Sequence, residues 1–208
     1  MFHSWYKTPQ NLDLPRFSGG LAGYFGYETI QYIEPRLTKE FLDDKLDLPD
    51  ILLMLSDEVV VFDNLSGKIY LIVLANPEQE NALSKAESRL DELRNKLRQP
   101  YQGSIGQALA EPKIIDESDF KSGYGEQEFQ QSVEDIKEYI LSGDVMQCVI
   151  SQRMQAPFTG DPIQVYRALR TLNPSPYMYF MDLDDFHIVG SSPEILARLE
   201  DGEVTVRP

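Results

Sequence analysis

The sequence predicts an α+β fold, with mostly antiparallel sheets and helices packed against them. Short apolar runs separated by turn residues predict strands joined as hairpins, which run antiparallel. Longer stretches with apolar residues at every third or fourth position predict amphipathic helices between them. The chain contains no internal repeat and no low-complexity tract.

The first predicted elements are strands. Glycines interleave with aromatic residues over residues 17–28, which is typical of a strand on which a backbone or a ring packs closely. The glycine spacing matches neither a dinucleotide-binding fingerprint nor a P-loop. Apolar runs at residues 50–55, 58–62 and 68–74 predict further strands, and the turn residues 63–67 predict a hairpin between the last two.

A helix is predicted to begin at Asn76 and Pro77, because proline is tolerated in the first helical turn. Its apolar stripe consists of Leu83, Ala86, Leu90, Leu93 and Leu97. Residues 99–119 are polar, contain two prolines and show no helical period. We interpret them as a linker or surface crossing within one domain over residues 1–208.

The second half is predicted to contain two helices, one strand and a hairpin. Phe129, Val133, Ile136 and Ile140 mark a helix that ends at residues 142–144. Residues 145–153 have the composition of a buried strand, and Asp161-Pro162 predicts the start of another helix. Two apolar runs, 177–181 and 186–189, predict a hairpin around residues 182–185.

Charge and cysteine content exclude several classes of partner and site. The formal net charge of -15 argues against a nucleic acid and against an anionic membrane surface. No apolar run approaches the roughly 20 residues of a membrane span. The single cysteine, Cys148, allows no internal disulfide and favours a reducing, cytoplasmic location. His3 and His187 have no ligand partner at metal-binding spacing, so no metal site is predicted within the chain.

Four segments carry a resemblance to one family. Residues 142–153 (SGDVMQCVISQR) resemble a block of chorismate-utilising enzymes, and residues 190–194 (GSSPE) resemble the block that follows it. Residues 173–180 (NPSPYMYF) and 17–27 (FSGGLAGYFGY) resemble blocks of anthranilate synthase large subunits. The blocks keep the family's order and approximate spacing and take in nearly the whole chain. The resemblance implies part of the anthranilate synthase fold and a role in converting chorismate and ammonia to anthranilate and pyruvate.

The resemblance also implies roles for two residues in the opening step, in which a nucleophile adds to C2 of chorismate while the C4 hydroxyl leaves. Glu194 would be the general acid that protonates the leaving hydroxyl, and burial would help it to hold a proton. The structural alternative is a carboxylate in the first turn of a helix after Pro193. Gln147 matches a lysine of the water-adding relatives and cannot act as a base, which favours ammonia as the nucleophile. Alternatively, Gln147 satisfies polar groups at a strand edge.

A tryptophan site is implied by the third block. Feedback-inhibited anthranilate synthases bind tryptophan at the positions of Asn173, Pro174, Pro176, Tyr177, Met178 and Gly190. A rigid turn, an aromatic ring and a methionine sulfur suit an indole. The sequence Pro176-Tyr177-Met178 favours anthranilate synthase over aminodeoxychorismate synthase of the folate pathway. The alternative is a hydrophobic strand start with no ligand.

The family pattern continues beyond Pro208, so the chain is expected to be an internal fragment. The magnesium-binding glutamates, the histidine that assists pyruvate loss and the groups that hold the carboxylates of chorismate would lie in the missing part. We therefore expect no turnover by this chain alone. Family members pair with a glutamine amidotransferase that delivers ammonia. The second hypothesis is a non-catalytic binding or assembly fragment.

Overall fold

The structure is a computed structural model that describes residues 13–37, 46–100 and 115–206. The chain divides into two compact units, residues 1–103 and 104–208. The division falls inside the polar segment 99–119, most of which lies outside the described residues. A crossing within one domain was predicted there, and the boundary between the two units falls in this segment. His3 lies outside the described residues.

The first unit contains two antiparallel strand pairs. Strands β1 (Gly20–Phe25) and β2 (Ile51–Ser56) pair in a register that sets Gly20 opposite Ser56 and Phe25 opposite Ile51. Strands β3 (Glu58–Asp63) and β4 (Lys68–Val73) form the predicted hairpin. The Asp63 carboxylate stabilises its turn by accepting hydrogen bonds from the amides of Leu65 and Ser66 at 3.0 Å. These strand predictions are confirmed.

Helix α1 (Ala82–Arg98) contacts β4 but begins later than predicted. Asn76 forms a turn instead, because its side-chain oxygen accepts the amide of Glu78 at 3.0 Å. The helix starts after Asn81, which adopts a left-handed conformation with φ 58°. The predicted start at Asn76 and Pro77 is therefore wrong, although the predicted stripe lies in the helix.

The second unit begins with a short strand pair and a helix. Strands β5 (Lys121–Ser122) and β6 (Met154–Gln155) pair antiparallel. Helix α2 (Glu126–Leu141) ends before Gly143, which has φ 82°, as predicted from the glycine. The strand predicted over residues 145–153 is wrong, since only the neighbouring Met154 and Gln155 pair with another strand. A strand needs a partner for its ladder, and among the described residues no strand pairs with 145–153, where the one backbone contact toward β5 is the Gly123 amide that donates to the Arg153 carbonyl oxygen at 3.3 Å.

The rest of the second unit holds a helix and two hairpins. Asp161 caps helix α3 (Pro162–Leu172) by accepting the amide of Ile163 at 3.1 Å, as predicted. Strands β7 (Tyr177–Asp182) and β8 (His187–Ser192) form the predicted hairpin, which contacts α3.

The last hairpin was not predicted. Strands β9 (Ala197–Glu200) and β10 (Glu203–Val206) are joined by Asp201 and Gly202, which have φ values of 51° and 81°. Aspartate followed by glycine is a strong signal for a two-residue hairpin turn with positive φ at both positions. The sequence signal was therefore present in these two residues.

Burial within the described residues is slight. Ile72, with 9% of its surface exposed, is the most deeply buried hydrophobic residue among the described residues. One face of the β1–β2 pair presents exposed apolar side chains, namely Leu21, Phe25, Ile51, Leu53 and Leu55. Within the described ranges, no helix combines the length and apolar character required to cross a bilayer.

Candidate functional site

The β7–β8 hairpin presents two different faces. Phe180 contacts Tyr166 of α3, with ring centroids 6.2 Å apart, so the face that carries Phe180 and its second neighbour Met178 lies toward the helix. Tyr177 and Tyr179 lie on the opposite face, with 43% and 40% of each residue exposed. The predicted tryptophan-binding residues Tyr177 and Met178 therefore lie on different faces of the same strand.

Gly190 lies directly opposite Tyr179 in the strand register. A Cβ atom placed on Gly190 would meet the outer atoms of the Tyr179 ring, at Cζ, Cε2 and the hydroxyl, below normal contact distance. The ring therefore lies against the glycine backbone, where no other side chain would leave it room. Gly190 pairs with Tyr179, and Tyr177 lies two residues before Tyr179 in β7. Tyr177 and Gly190 therefore lie on the same face of the hairpin.

Serine hydroxyls join the segment 173–177 to the end of β8. The Ser191 hydroxyl donates to the carbonyl oxygen of Asn173 at 2.7 Å, and the Ser175 hydroxyl donates to the carbonyl oxygen of Ser192 at 2.7 Å. Ser175 Oγ also accepts the amide of Tyr177 at 3.2 Å. These contacts bring the NPSPYM and GSSPE blocks together. These serines were not predicted as site residues, although both blocks contain hydroxyls beside prolines.

Glu194 lies in an exposed bend between β8 and β9. Its carbonyl oxygen accepts the Ser192 hydroxyl at 2.8 Å. Between Pro193 and residue 206, where the described residues end, there is no helix, so the alternative interpretation of Glu194 as a first-turn helix residue is wrong. The burial that would help an acid to hold its proton is not provided by the described part of this chain.

Gln147 lies in the exposed segment between α2 and β6. Its side chain makes no hydrogen bond to another described residue, so the strand-edge alternative has no support in the described ranges. The neighbouring Cys148 is also exposed. Asn173, in contrast, ends α3 by donating its amide to the carbonyl oxygen of Leu169 at 2.8 Å. The motif residues of 173–178 and 190–194 are thus brought together, and Gln147 is not shown to join them.

The groups with displaced pKa values lie outside these blocks. In the described part of the chain, the carboxyl groups with a lowered pKa are Glu34, Glu58, Asp63 and Asp116. An arginine side chain is the main cause at Glu34 and Glu58, and a serine hydroxyl is the main cause at Asp63 and Asp116. Glu34 and Glu58 form ion pairs with arginines, and Asp63 and Asp116 accept hydrogen bonds within turns.

His187 has an acidic and an aromatic neighbour. Its Nε2 lies 3.1 Å from a carboxylate oxygen of Asp182, and its ring centroid lies 5.5 Å from that of Phe180. Across residues 13–37, 46–100 and 115–206, no three histidine, cysteine or acidic side chains are grouped to hold a metal ion. The described residues therefore do not fit the magnesium ion that the resemblance implies.

The comparisons with known proteins agree with these motif blocks. A model of the family described as chorismate binding enzymes matches residues 3–208. The chain belongs to this family. The family resemblance predicted from the sequence is thereby confirmed.

Several relatives of this chorismate binding family carry one name. Proteins named anthranilate synthase component 1 from Pseudomonas aeruginosa and Neisseria meningitidis serogroup B are 53% identical over 207 residues and 50% identical over 210 residues. Each comparison takes in 100% of this chain and 42% of the relative. The chain therefore spans less than half the length of the curated relatives it matches.

A solved member of the family has the same fold over this region. The crystal structure of anthranilate synthase component I from Streptococcus pneumoniae TIGR4 matches 98% of this chain and 45% of its own chain, with a TM-score of 0.80 and 33% identity. The predicted α+β class is confirmed by this similarity and by the antiparallel strand pairs.

Proposed function

We propose that the protein carrying this chain is an anthranilate synthase large subunit, which forms anthranilate and pyruvate from chorismate and ammonia. The observation that carries the proposal is identity of 50% or more, over the whole chain, to relatives named anthranilate synthase component 1. Four ordered motif blocks and membership of the chorismate binding family support it. Lyase activity would belong to the whole protein.

Glu194 is proposed as the general acid of the first step. Ammonia forms a bond to C2 of chorismate, the ring double bonds shift and the C4–oxygen bond breaks. The carboxyl proton passes to the departing hydroxyl, which leaves as water, and the new ammonium group loses a proton. Protonation is needed because hydroxide is a poor leaving group. Glu194 is exposed here, so we expect residues outside this chain to enclose it.

Gln147 supports ammonia as the nucleophile. An amide side chain has no base to remove a proton from water, whereas ammonia already carries a nucleophilic lone pair. We expect ammonia to come from a glutamine amidotransferase subunit. Magnesium, when bound, would supply charge stabilisation for the carboxylates of chorismate, and we expect its ligands outside this chain.

Tryptophan is proposed to bind at residues 173–178 together with Gly190. Tyr177 and Gly190 share one hairpin face, and the backbone of residues 173–177 is held by serine hydroxyls. One indole ring lying on this face would contact Tyr177 and the Tyr179 ring that covers Gly190. It would reach Met178 only through its backbone, because consecutive strand side chains point to opposite faces.

The test is an assay of the longest gene product that contains residues 1–208, supplied with chorismate, ammonium and magnesium. We expect anthranilate and pyruvate in equal amounts, and a loss of roughly 100-fold or more in kcat for Glu194→Gln. Glu203→Gln, which alters an exposed glutamate in β10, is the matched control and should retain activity.

Four results would reject all or part of the proposal. Aminodeoxychorismate as the product would move the protein to the folate pathway. Full activity of Glu194→Gln would remove the proposed acid. Turnover by residues 1–208 alone would contradict our expectation that the enzyme needs the rest of the family fold. No turnover by the complete product would leave the binding or assembly role.

A further inference from the structure

The two motif blocks are joined by hydroxyl bonds that reach across the chain. Ser191 and Asn173 are 18 residues apart, and Ser175 and Ser192 are 17 residues apart. Each bond ends on a backbone carbonyl of the other block, so both constrain the path of the main chain. A shift of residues 173–177 relative to β8 therefore has to stretch both bonds or carry the end of β8 with it.

The connection continues to Glu194 through a short, stiff link. Ser192 receives the Ser175 hydroxyl on its carbonyl oxygen and donates its own hydroxyl to the carbonyl oxygen of Glu194 at 2.8 Å. Pro193 lies between them, and its ring fixes the backbone angle φ. A displacement of Ser192 is therefore passed to Glu194 with little local rotation to absorb it.

The other end of the connection lies at the proposed ligand-binding segment. Ser175 Oγ accepts the amide of Tyr177 at 3.2 Å while donating to Ser192. A ligand that moves Tyr177 therefore moves the donor of the bond to β8. Ser175 is one of the few part-buried hydroxyl donors of this region, whereas the bond from Ser191 is exposed.

We propose that Ser175 and Ser191 are positioning residues that couple occupancy of residues 173–178 to the placement of Glu194. The inference rests on the proposed function, because it names how the same site is regulated. Neither serine is required to contact tryptophan or chorismate. Their hydroxyls hold two backbone segments in one relative position, and a ligand on one segment thereby changes the position of the acid on the other.

The quantity to measure is the coupling factor, which is the ratio of the tryptophan dissociation constants with and without saturating chorismate. Binding is measured by calorimetry on the longest gene product, without ammonia, so that chorismate is not consumed. The reciprocal ratio for chorismate must give the same factor, which checks the measurement internally. The variants are Ser175→Ala, Ser191→Ala and the double variant.

We expect each alanine variant to move the coupling factor about fivefold toward one, since a hydroxyl–carbonyl bond contributes about 1 kcal/mol. Ser191→Thr retains the hydroxyl and should restore the wild-type factor. Ser118→Ala is the matched control. That hydroxyl makes an equally short bond of 2.6 Å, but only to Asp116 two residues away, so its loss should leave the factor unchanged.

Two results would overturn the inference. The first is a wild-type coupling factor in both single alanine variants. The second is weaker tryptophan binding with the factor unchanged, which would make the serines mere supports of the binding segment. Hydrogen exchange of the β7–β8 amides verifies that each variant retains the hairpin. Failure of the proposed function is a separate result, since it appears in the wild type as an absence of anthranilate or of tryptophan binding.

Discussion

Replacing Gly190 by alanine tests how the β7–β8 hairpin accommodates an aromatic ring. The added methyl group would overlap the outer atoms of the Tyr179 ring, and no backbone atom is among the three nearest atoms. Tyr179 is 40% exposed, so its ring is free to swing toward solvent. The expected response is a displaced ring on an otherwise intact hairpin, rather than separation of the strands.

The size of the effect follows from the area that the ring uncovers. A buried tyrosine covers about 200 Å², and Tyr179 retains roughly 60% of its burial here, since 40% is exposed. Uncovering about half of that area, ~60 Å², costs about 1.5 kcal/mol at ~25 cal/mol per Å². Alanine also lowers the conformational entropy of the unfolded chain, which offsets about 0.5 kcal/mol of this cost. The net local destabilisation is therefore about 1 kcal/mol, or roughly fivefold in the opening equilibrium.

The assay is native-state hydrogen exchange of the β7–β8 amides, which reports local opening without requiring two-state unfolding of the whole protein. Four proteins are compared: the wild type, Gly190→Ala, Tyr179→Ala and the double variant. In the Tyr179→Ala background, Gly190→Ala should be neutral or stabilise by about 0.5 kcal/mol. The pair should therefore show a coupling energy of about 1.5 kcal/mol.

Gly123→Ala is the control, because a Cβ atom at Gly123 meets nothing within 4 Å. This variant should change hydrogen exchange only through the lower conformational entropy of its unfolded chain. If Gly190→Ala is equally harmful with and without the Tyr179 ring, the clash lies with the backbone and the reasoning is refuted.

Two further predictions concern the first unit. Gly23→Ala should destabilise the β1–β2 pair by more than about 2 kcal/mol, because the added Cβ meets the Leu52 carbonyl and the Leu53 Cα, backbone atoms that cannot rotate away; protection of the β1 amides equal to wild type would contradict this. Arg89 donates to Glu58 at 2.6 Å and lowers the pKa of that carboxyl. Because the pKa of Glu58 is lower in the folded protein, the ion pair that joins α1 to β3 contributes its full stabilisation above the usual glutamate pKa of about 4.3. That stabilisation is lost as the pH falls through the pKa of Glu58 in the folded protein. The protection factor of the β3 amides, which compares their exchange with the intrinsic rate at each pH, should fall over that range in wild type but not in Glu58→Gln. Protection factors with an identical pH profile in both proteins would reject the role of this pair.

The elements that could be predicted from the sequence are those defined by neighbouring residues. Asp63 holds its own turn through amides two and three residues away, and Asp161 caps its own helix. Asp201-Gly202 carried an equally local signal that the sequence analysis overlooked. The predicted start of α1 was wrong because the Asn76 side chain can accept a backbone amide in a turn as readily as at the start of a helix. The residues that follow decide between the two.

The sequence alone determined the family, because ordered motif blocks depend only on residue identity and spacing. It could not determine the state of residues 145–153, since a strand exists only where another strand pairs with it. Only the tertiary structure set the Tyr179 ring on Gly190, joined Ser175 to Ser192 and joined Ser191 to Asn173. Those relations connect residues up to 18 positions apart, and their physical basis is the register of two strands rather than any local preference of the chain.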